Sequence, residues 1–144
     1  MNFSQLFIQT GVTFIAASLG AIFGAFLTRR VEQFKHLQEL RSNAYADFLR
    51  GFARVGRAQT DDHGSERSKL EELEGRAAVA DSRSRIAIYG SPNVVCSLAR
   101  FINLGTQTLS PEGAKSFAEL CSLMRMESIK QQVSIEDIET VLFG

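Results

Sequence analysis

Residues 6–28 read LFIQTGVTFIAASLGAIFGAFLT, a stretch of 23 residues without a charged side chain. As an α-helix, a stretch of this length rises about 35 Å, and a bilayer core about 30 Å thick needs roughly 20 apolar residues. A cleaved signal peptide would have a basic start and a shorter apolar run, and a buried helix of this length would normally carry a charged stripe. The sequence therefore predicts a single-pass transmembrane anchor over residues 1–28.

Basic residues follow the apolar stretch at once, namely Arg29, Arg30 and Lys35, whereas the five residues before it carry no Lys or Arg. Because cytoplasmic flanks of membrane helices are enriched in Lys and Arg, we expect the N-terminus to lie outside and the remaining chain in the cytoplasm of a bacterial cell, at its inner membrane. The same three cations would contact anionic lipid headgroups. The whole chain has a net charge of zero, which argues against nucleic acid as a general partner.

One side of the predicted anchor is small and polar, and the other side is bulky. Small residues at four-residue spacing let two helix backbones approach closely, and Gln or Thr can hydrogen-bond across such an interface. This pattern predicts a homo-oligomer formed through the anchor; alternatively, the polar side could line a narrow pore. The residues of this helix-association or pore face are Gln9, Thr13, Ala16, Gly20 and Gly24.

The rest of the chain, residues 29–144, has the apolar periodicity of helices and no pair of strand-like segments. Ser91-Pro92 and Ser110-Pro111 each place a capping hydroxyl before a proline, and Ser68-x-x-Glu71 has the form of a capping box. The fold is therefore predicted to be all-α, with the anchor helix continuing into an antiparallel cytoplasmic bundle. The expected parts are a stalk helix at 29–58, a loop at 59–66, and helices at 67–89, 92–104, 111–131 and 135–143.

Several packing roles follow from these helical patterns. Cys96 and Cys121 have apolar neighbours, so both are expected to be buried, reduced thiols. Arg41 falls within the apolar face of the stalk, where its stem would pack while its guanidinium reaches a carboxylate. Gly51 is expected to weaken the far end of the stalk. The buried face of the second long helix is expected to comprise Leu70, Leu73, Ala77, Ala80 and Ala87.

Catalytic chemistry has little support in this sequence. The chain contains two histidines and no spacing typical of a metal or cofactor site. Arg30 with His36, and Arg57 with His63, loosely match the Arg-x4-6-His pattern of helical ribonucleases, but that reaction needs the pair inside a composite dimer cleft. We therefore expect no cofactor and no enzyme activity, with a ribonuclease as the third and least favoured hypothesis.

Two segments of the chain resemble a set of bacterial membrane proteins. The segments RSNAYADFLRGFARV at 41–55 and IAIYGSPNVVCSLARF at 86–101, following a charge-free anchor, resemble a loosely defined set of small bacterial single-pass membrane proteins without assigned activity. The resemblance implies the architecture and the bacterial setting, and it supplies no functional residues. The favoured function is a non-enzymatic anchored module that self-associates and docks a protein partner; the alternative is a membrane-permeabilising effector of the defence or toxin type.

Overall fold

A computed structural model describes the backbone of residues 3–60, 65–106 and 108–144, and the side chains of these residues except 3–23 and 25. Within this part, the chain is all-α and contains no strand, as the sequence predicted. The chain divides into two compact units, residues 1–37 (unit 1) and 38–144 (unit 2). The five helices are α1 (Phe3–Thr60), α2 (Glu66–Tyr89), α3 (Pro92–Asn103), α4 (Pro111–Ile129) and α5 (Ile135–Phe143).

Unit 1 comprises the first part of α1. Among the residues that the structure describes, no helix combines the length and apolar character needed to cross a membrane. Most of the predicted anchor, residues 6–28, lies where side chains fall outside that description.

Serine caps set the starts of the helices in unit 2. Ser91 and Ser110 each accept a hydrogen bond from the backbone three residues on, with proline at the first helical position, as predicted. The predicted cap of α2 is wrong, because Ser65 and not Ser68 caps this helix. The Ser68 hydroxyl instead donates to the Ala58 carbonyl at 2.7 Å, and this buried bond joins the start of α2 to the end of α1.

Within unit 2, α1 and α2 form an antiparallel hairpin. Ser68 is bonded to Ala58 at one end, and further along Arg85 pairs with Asp47 at 2.9 Å. Arg85 also pairs with Asp81 of its own helix at 2.8 Å. The hydrogen bond to Asp47 is the largest cause of a raised pKa for the Arg85 guanidinium. These contacts fix the register of the hairpin.

Two glycines mark the line where α1 and α2 touch. A Cβ on Gly75 would lie 2.9 Å from Val55 Cγ2, and a Cβ on Gly51 would lie 3.1 Å from Val79 Cγ2. A Cβ would therefore clash at Gly75 and be tight at Gly51, because the two backbones approach closely along this line. Gly51, expected to weaken the stalk, therefore lies at its contact with α2.

The predicted buried face of α2 is also wrong. Leu70 and Leu73 are 56% and 65% exposed, and Ala77, Ala80 and Ala87 are exposed with them. Three of the four buried residues are small, which suits the close approach of α1, and the Ser82 hydroxyl donates to Ala78 O at 2.8 Å. The buried residues of α2 are Ser68, Gly75, Ser82 and Ile86.

Aromatic rings form the centre of the unit 2 core. The Phe52 ring of α1 lies 4.7 Å from the Phe117 ring of α4, and the Phe101 ring of α3 lies 5.0 Å from Phe117. Phe143 of α5 reaches the same cluster at 6.2 Å from Phe117. The residues that complete this core are Ala44, Tyr45, Phe48, Ile86, Val94, Leu98, Leu120 and Met124.

The cysteines differ from the expectation that both are buried. Cys96 is exposed on α3, and Cys121 is half-buried on α4. The α3 helix buries Val94, Ser97, Leu98 and Phe101, so the side of the helix that carries Cys96 faces outward. Desolvation raises the pKa of the Cys121 thiol to about 12.

Candidate functional site

The segment Gly24–Leu37 of unit 1 exposes apolar and cationic side chains together. Phe26 is 55% exposed, Val31 53% and Phe34 74%. Arg30 lies over the Phe26 ring at 5.2 Å from its centroid. The predicted headgroup-contact residues Arg29, Arg30 and Lys35 are all exposed.

This mixture suits a boundary between lipid and water. Long cationic side chains are favoured there because each has an apolar stem and a charged end, while the phenyl rings of Phe26 and Phe34 are apolar throughout. The Thr28 hydroxyl donates to the Gly24 carbonyl at 2.9 Å, so this polar group is satisfied within the helix. The segment therefore has no unpaired hydroxyl at Thr28.

The predicted association face is described at one residue. A Cβ on Gly24 would meet nothing within 4 Å, so the backbone there is open to a close neighbour. The side chains of Gln9, Thr13, Ala16 and Gly20 lie outside the described residues. The juxtaposition of these five residues thus remains a prediction.

A polar cluster joins three helices in unit 2 and consists of Arg41, Tyr45, Tyr89, Ser91 and Glu127. The Tyr45 hydroxyl donates to Glu127 Oε2 at 2.5 Å, and the backbone of Ser91 also bonds to that hydroxyl. Arg41 Nε donates to the Tyr89 carbonyl at the last residue of α2. The prediction that Arg41 reaches a carboxylate is wrong for this bond, because the guanidinium donates to a carbonyl at the negative end of a helix dipole.

The cluster holds its phenol in the neutral form. Burial is the first cause that raises the pKa of Tyr45, and the bond and charge of Glu127 raise it further. The Ser91 backbone and the Arg41 charge oppose that shift. A neutral tyrosine that donates to a carboxylate suits a structural bond between α1 and α4 better than proton transfer near neutral pH.

The ribonuclease pairs are not brought into a cleft in the described part of the chain. Arg30 and His36 are both exposed in unit 1, and Arg57 is exposed in unit 2. His63 lies outside the described residues. Among the residues that the structure covers, no three His, Cys, Asp or Glu side chains are grouped to hold a metal ion.

Open grooves border the core of unit 2 at several places, and two of them lie beside α3 and α5. One, of about 410 Å³, lies between α2 and α3, where Ala80, Ala87 and Ile102 are among its lining residues. The other, of about 440 Å³, is lined by α1, α4 and α5 residues that include Leu49, Cys121 and Val141. Both are shallow apolar surfaces of the kind that packs against another helix.

Comparison with known proteins finds no protein-family model, curated protein or solved structure that matches the chain. Function therefore has to be inferred from the residues and their geometry. Sequence reasoning missed the Tyr45–Glu127 bond because no local signal links residues so far apart in the chain. The exposed stripe of α2 has a periodic pattern in the sequence, but that pattern does not tell whether the stripe faces the core or the solvent.

Proposed function

We propose that the chain is a non-enzymatic helical module anchored in the bacterial inner membrane, where it self-associates and docks a protein partner. The observation that carries this proposal is the uncharged stretch at residues 6–28, followed at once by exposed cations. The anchor is a transmembrane helix with its N-terminus outside, and unit 2 faces the cytoplasm. Arg29, Arg30 and Lys35 contact anionic headgroups.

The exposed rings beside these cations support a membrane boundary at this segment. Phe26 and Phe34 have more than half of their surface exposed, which is unfavourable in water and favourable beside lipid. Arg30 covers part of the Phe26 ring, as expected for a cation whose stem lies along apolar surface. The sequence and the described side chains thus support the same boundary.

Self-association of the anchor is proposed through its small and polar face. Gly24 is open to a close neighbour, and Gly20 lies one helical turn before it. Gln9 and Thr13 on that face can bond across an interface between two helices. The anchor is therefore proposed to hold two or more copies side by side.

Partner docking is proposed on unit 2, where α5 leaves its apolar side chains only partly covered. Val141 is 86% exposed, and no residue of α5 is buried. The adjoining groove of about 440 Å³ offers Leu49 and Ile138 to an apolar helix or loop. An apolar surface of this kind favours a protein partner over a small polar ligand.

Membrane fractionation tests the anchor. The full chain should stay with the membranes after an alkaline carbonate wash, whereas Ile15→Arg with Leu19→Arg should release it, because two charges at the bilayer centre are unfavourable. The matched control, Ile15→Leu with Leu19→Ile, should behave like the native chain. Release of the native chain by carbonate would contradict the anchor.

The exposed Cys96 thiol tests orientation. A membrane-impermeant maleimide should label Cys96 only after the inner membrane is permeabilised, because unit 2 is proposed to be cytoplasmic. Labelling in cells with an intact inner membrane would place unit 2 outside. A Cys96→Ser variant shows how much of the signal belongs to this residue.

Crosslinking in membranes tests self-association of the anchor. Gly20→Ile with Gly24→Ile should reduce the crosslinked dimer, because the larger side chains keep the backbones apart. Unchanged crosslinking would contradict association through this face. Loss of membrane potential on expression, abolished by Gln9→Leu with Thr13→Leu, would favour the pore-forming effector instead.

A further inference from the structure

The outward face of α2 carries a mostly apolar stripe that is exposed in the described part of the chain. Its members alternate at spacings of three and four, which is the a and d pattern of a coiled coil. Two of them are large and strongly exposed, Leu70 at 56% and Leu73 at 65%. This outer seam comprises Leu70, Leu73, Ala77, Ala80, Ser84 and Ala87, all exposed.

The seam lies opposite the face that packs on α1. Ser68, Gly75 and Ser82 are seven residues apart and buried, and they take the f position when Leu70 is an a position. The f position is diametrically opposite the a and d seam. The helix therefore has two packing faces, and α1 covers one of them.

The charges that flank the seam have opposite signs on its two sides. The g positions are Lys69, Arg76 and Arg83, and the e positions include Glu74 and Asp81. All five residues are exposed. In a parallel pair of helices, each g residue faces the e residue five positions later on the other helix; in an antiparallel pair, g faces g and e faces e.

We propose that the outer seam is an interface with a second copy of this chain, whose α2 packs in parallel register. In that register Lys69 faces the second copy's Glu74, and Arg76 faces its Asp81. An antiparallel pair would place Lys and Arg against Lys and Arg, and Glu and Asp against each other. The charges thus select both the occupant and its direction.

The ion pairs that these charged residues make within one chain do not prevent them from pairing with a second copy. Arg76 pairs with Glu72 at 2.6 Å, and its side chain is 65% exposed. Asp81 pairs with Arg85 at 2.8 Å, and its side chain is 68% exposed. Glu74 pairs with Arg54 of α1 at 3.5 Å, and its side chain is 56% exposed. Exposed ion pairs contribute little, so these side chains can turn to face a second helix.

The composition of the seam sets how closely the copies pack. Short side chains let the two helix axes approach closely at Ala77, Ala80 and Ala87. The larger apolar contact comes from Leu70 and Leu73. The groove of about 410 Å³ beside Ala80 and Ala87 extends the surface onto α3, where it includes Ile102. The interface is therefore broader than a single helix face.

This contact goes beyond the proposed self-association of the anchor, because it places a second interface in unit 2. The parallel order follows from the e and g charges and does not depend on the membrane. Two copies anchored in one membrane with the same orientation would also bring their α2 helices together in the parallel direction. The interface can be tested separately from the anchor.

Disulfide crosslinking of the full chain in membranes tests the seam, in a background of Cys96→Ser and Cys121→Ala. Ala80→Cys should give an oxidised dimer, whereas the matched variant Ala53→Cys, at an exposed position of α1, should stay monomeric. The background chain, with Cys96→Ser and Cys121→Ala and no added cysteine, serves as the blank. No dimer from Ala80→Cys would overturn the interface.

The direction is tested at the ends of the seam. Leu70→Cys should crosslink to another Leu70→Cys chain, because parallel register places each position opposite itself. A mixture of Leu70→Cys and Ala87→Cys chains that gives only the mixed dimer would mean antiparallel packing and would overturn the proposed direction.

Charge exchange tests the flanking pairs. Arg76→Glu should slow Ala80→Cys crosslinking about fivefold at low salt, since two symmetric attractive pairs become repulsive. Adding Asp81→Arg should restore the rate, and circular dichroism should show equal helix content in all variants. Failure of the second change to restore the rate would contradict the pairing.

The Ala80→Cys dimer also separates the outer seam from the anchor. If Gly20→Ile with Gly24→Ile leaves both the crosslinking of the anchor and the Ala80→Cys dimer unchanged, the proposed association through the anchor fails and the outer seam stands.

Discussion

Tyr45 of α1 donates its hydroxyl to Glu127 Oε2 in the last turn of α4 at 2.5 Å. The tyrosine is 3% exposed, so its hydroxyl is removed from bulk water and depends on this bond. A hydrogen bond to a charged group contributes more than one between neutral groups. The bond therefore holds α1 against α4, two helices that are far apart along the chain.

Removing this hydroxyl should destabilise unit 2. We expect Tyr45→Phe to lower the free energy of unfolding by about 1–3 kcal/mol, measured by denaturant titration of the full chain in detergent or nanodiscs. Glu127→Gln, which keeps an acceptor, should have a smaller effect. If the effects of Tyr45→Phe and Glu127→Gln simply add in the double variant, the two side chains do not interact as the distance indicates.

Stability should decline at alkaline pH. The fold raises the pKa of Tyr45 above its usual 10.0 and that of Cys121 from 9.0 to about 12. Between about pH 9 and 12 the unfolded chain loses protons that the folded chain retains, so stability is full below pH 9 and falls as pH rises. The slope is at most about 1.4 kcal/mol per pH unit for each group.

Thermal unfolding followed by circular dichroism from pH 8 to 11 measures this slope. The variant Tyr45→Phe with Cys121→Ala should flatten the curve, because both groups that bind the extra protons are gone. A slope equal to that of the native chain would assign the alkaline loss to other groups.

Gly75 and Gly56, which both lie in the hairpin of α1 and α2, should respond to alanine in opposite directions. Gly75→Ala places a Cβ 2.9 Å from Val55 Cγ2 and 3.1 Å from the Val55 backbone nitrogen, so the helices must separate. We expect a loss of about 1–3 kcal/mol, as for other overpacked contacts. Gly56→Ala meets nothing within 4 Å and should gain about 0.5–1 kcal/mol from helix propensity.

Melting temperatures of the two alanine variants provide the comparison. Both changes add one methyl group to a helix, so their difference reports the surroundings and not the substitution. Equal effects of the two changes would mean that α1 and α2 do not approach closely at Gly75.

The two cysteines should differ in reactivity towards a maleimide. Cys96 is exposed, whereas Cys121 is half-buried with its pKa raised to about 12, so little thiolate is present at neutral pH. We expect labelling of Cys96 at least about tenfold faster at pH 7.5 in the folded protein. Mass spectrometry of single-cysteine variants measures each rate, and similar rates in denaturant serve as the control.

Local sequence signals determined the helical elements of this protein. Ser91-Pro92 and Ser110-Pro111 start helices whatever packs around them, because a hydroxyl cap and a proline without N–H act on their own first turn. The absence of charge in residues 6–28, and the cations that follow it, are likewise properties of the chain alone. They were sufficient to propose an anchor and its orientation.

Only the tertiary structure decided which face of each helix is covered. The leucines of α2 had the regular spacing of a buried stripe, yet Gly75 and Ser82 are buried and Leu73 is exposed. A close helix crossing favours small residues, so here the contact with α1 overrides apolar content. The Tyr45–Glu127 bond likewise joins residues distant in the chain, and no periodicity along the sequence encodes such a pair.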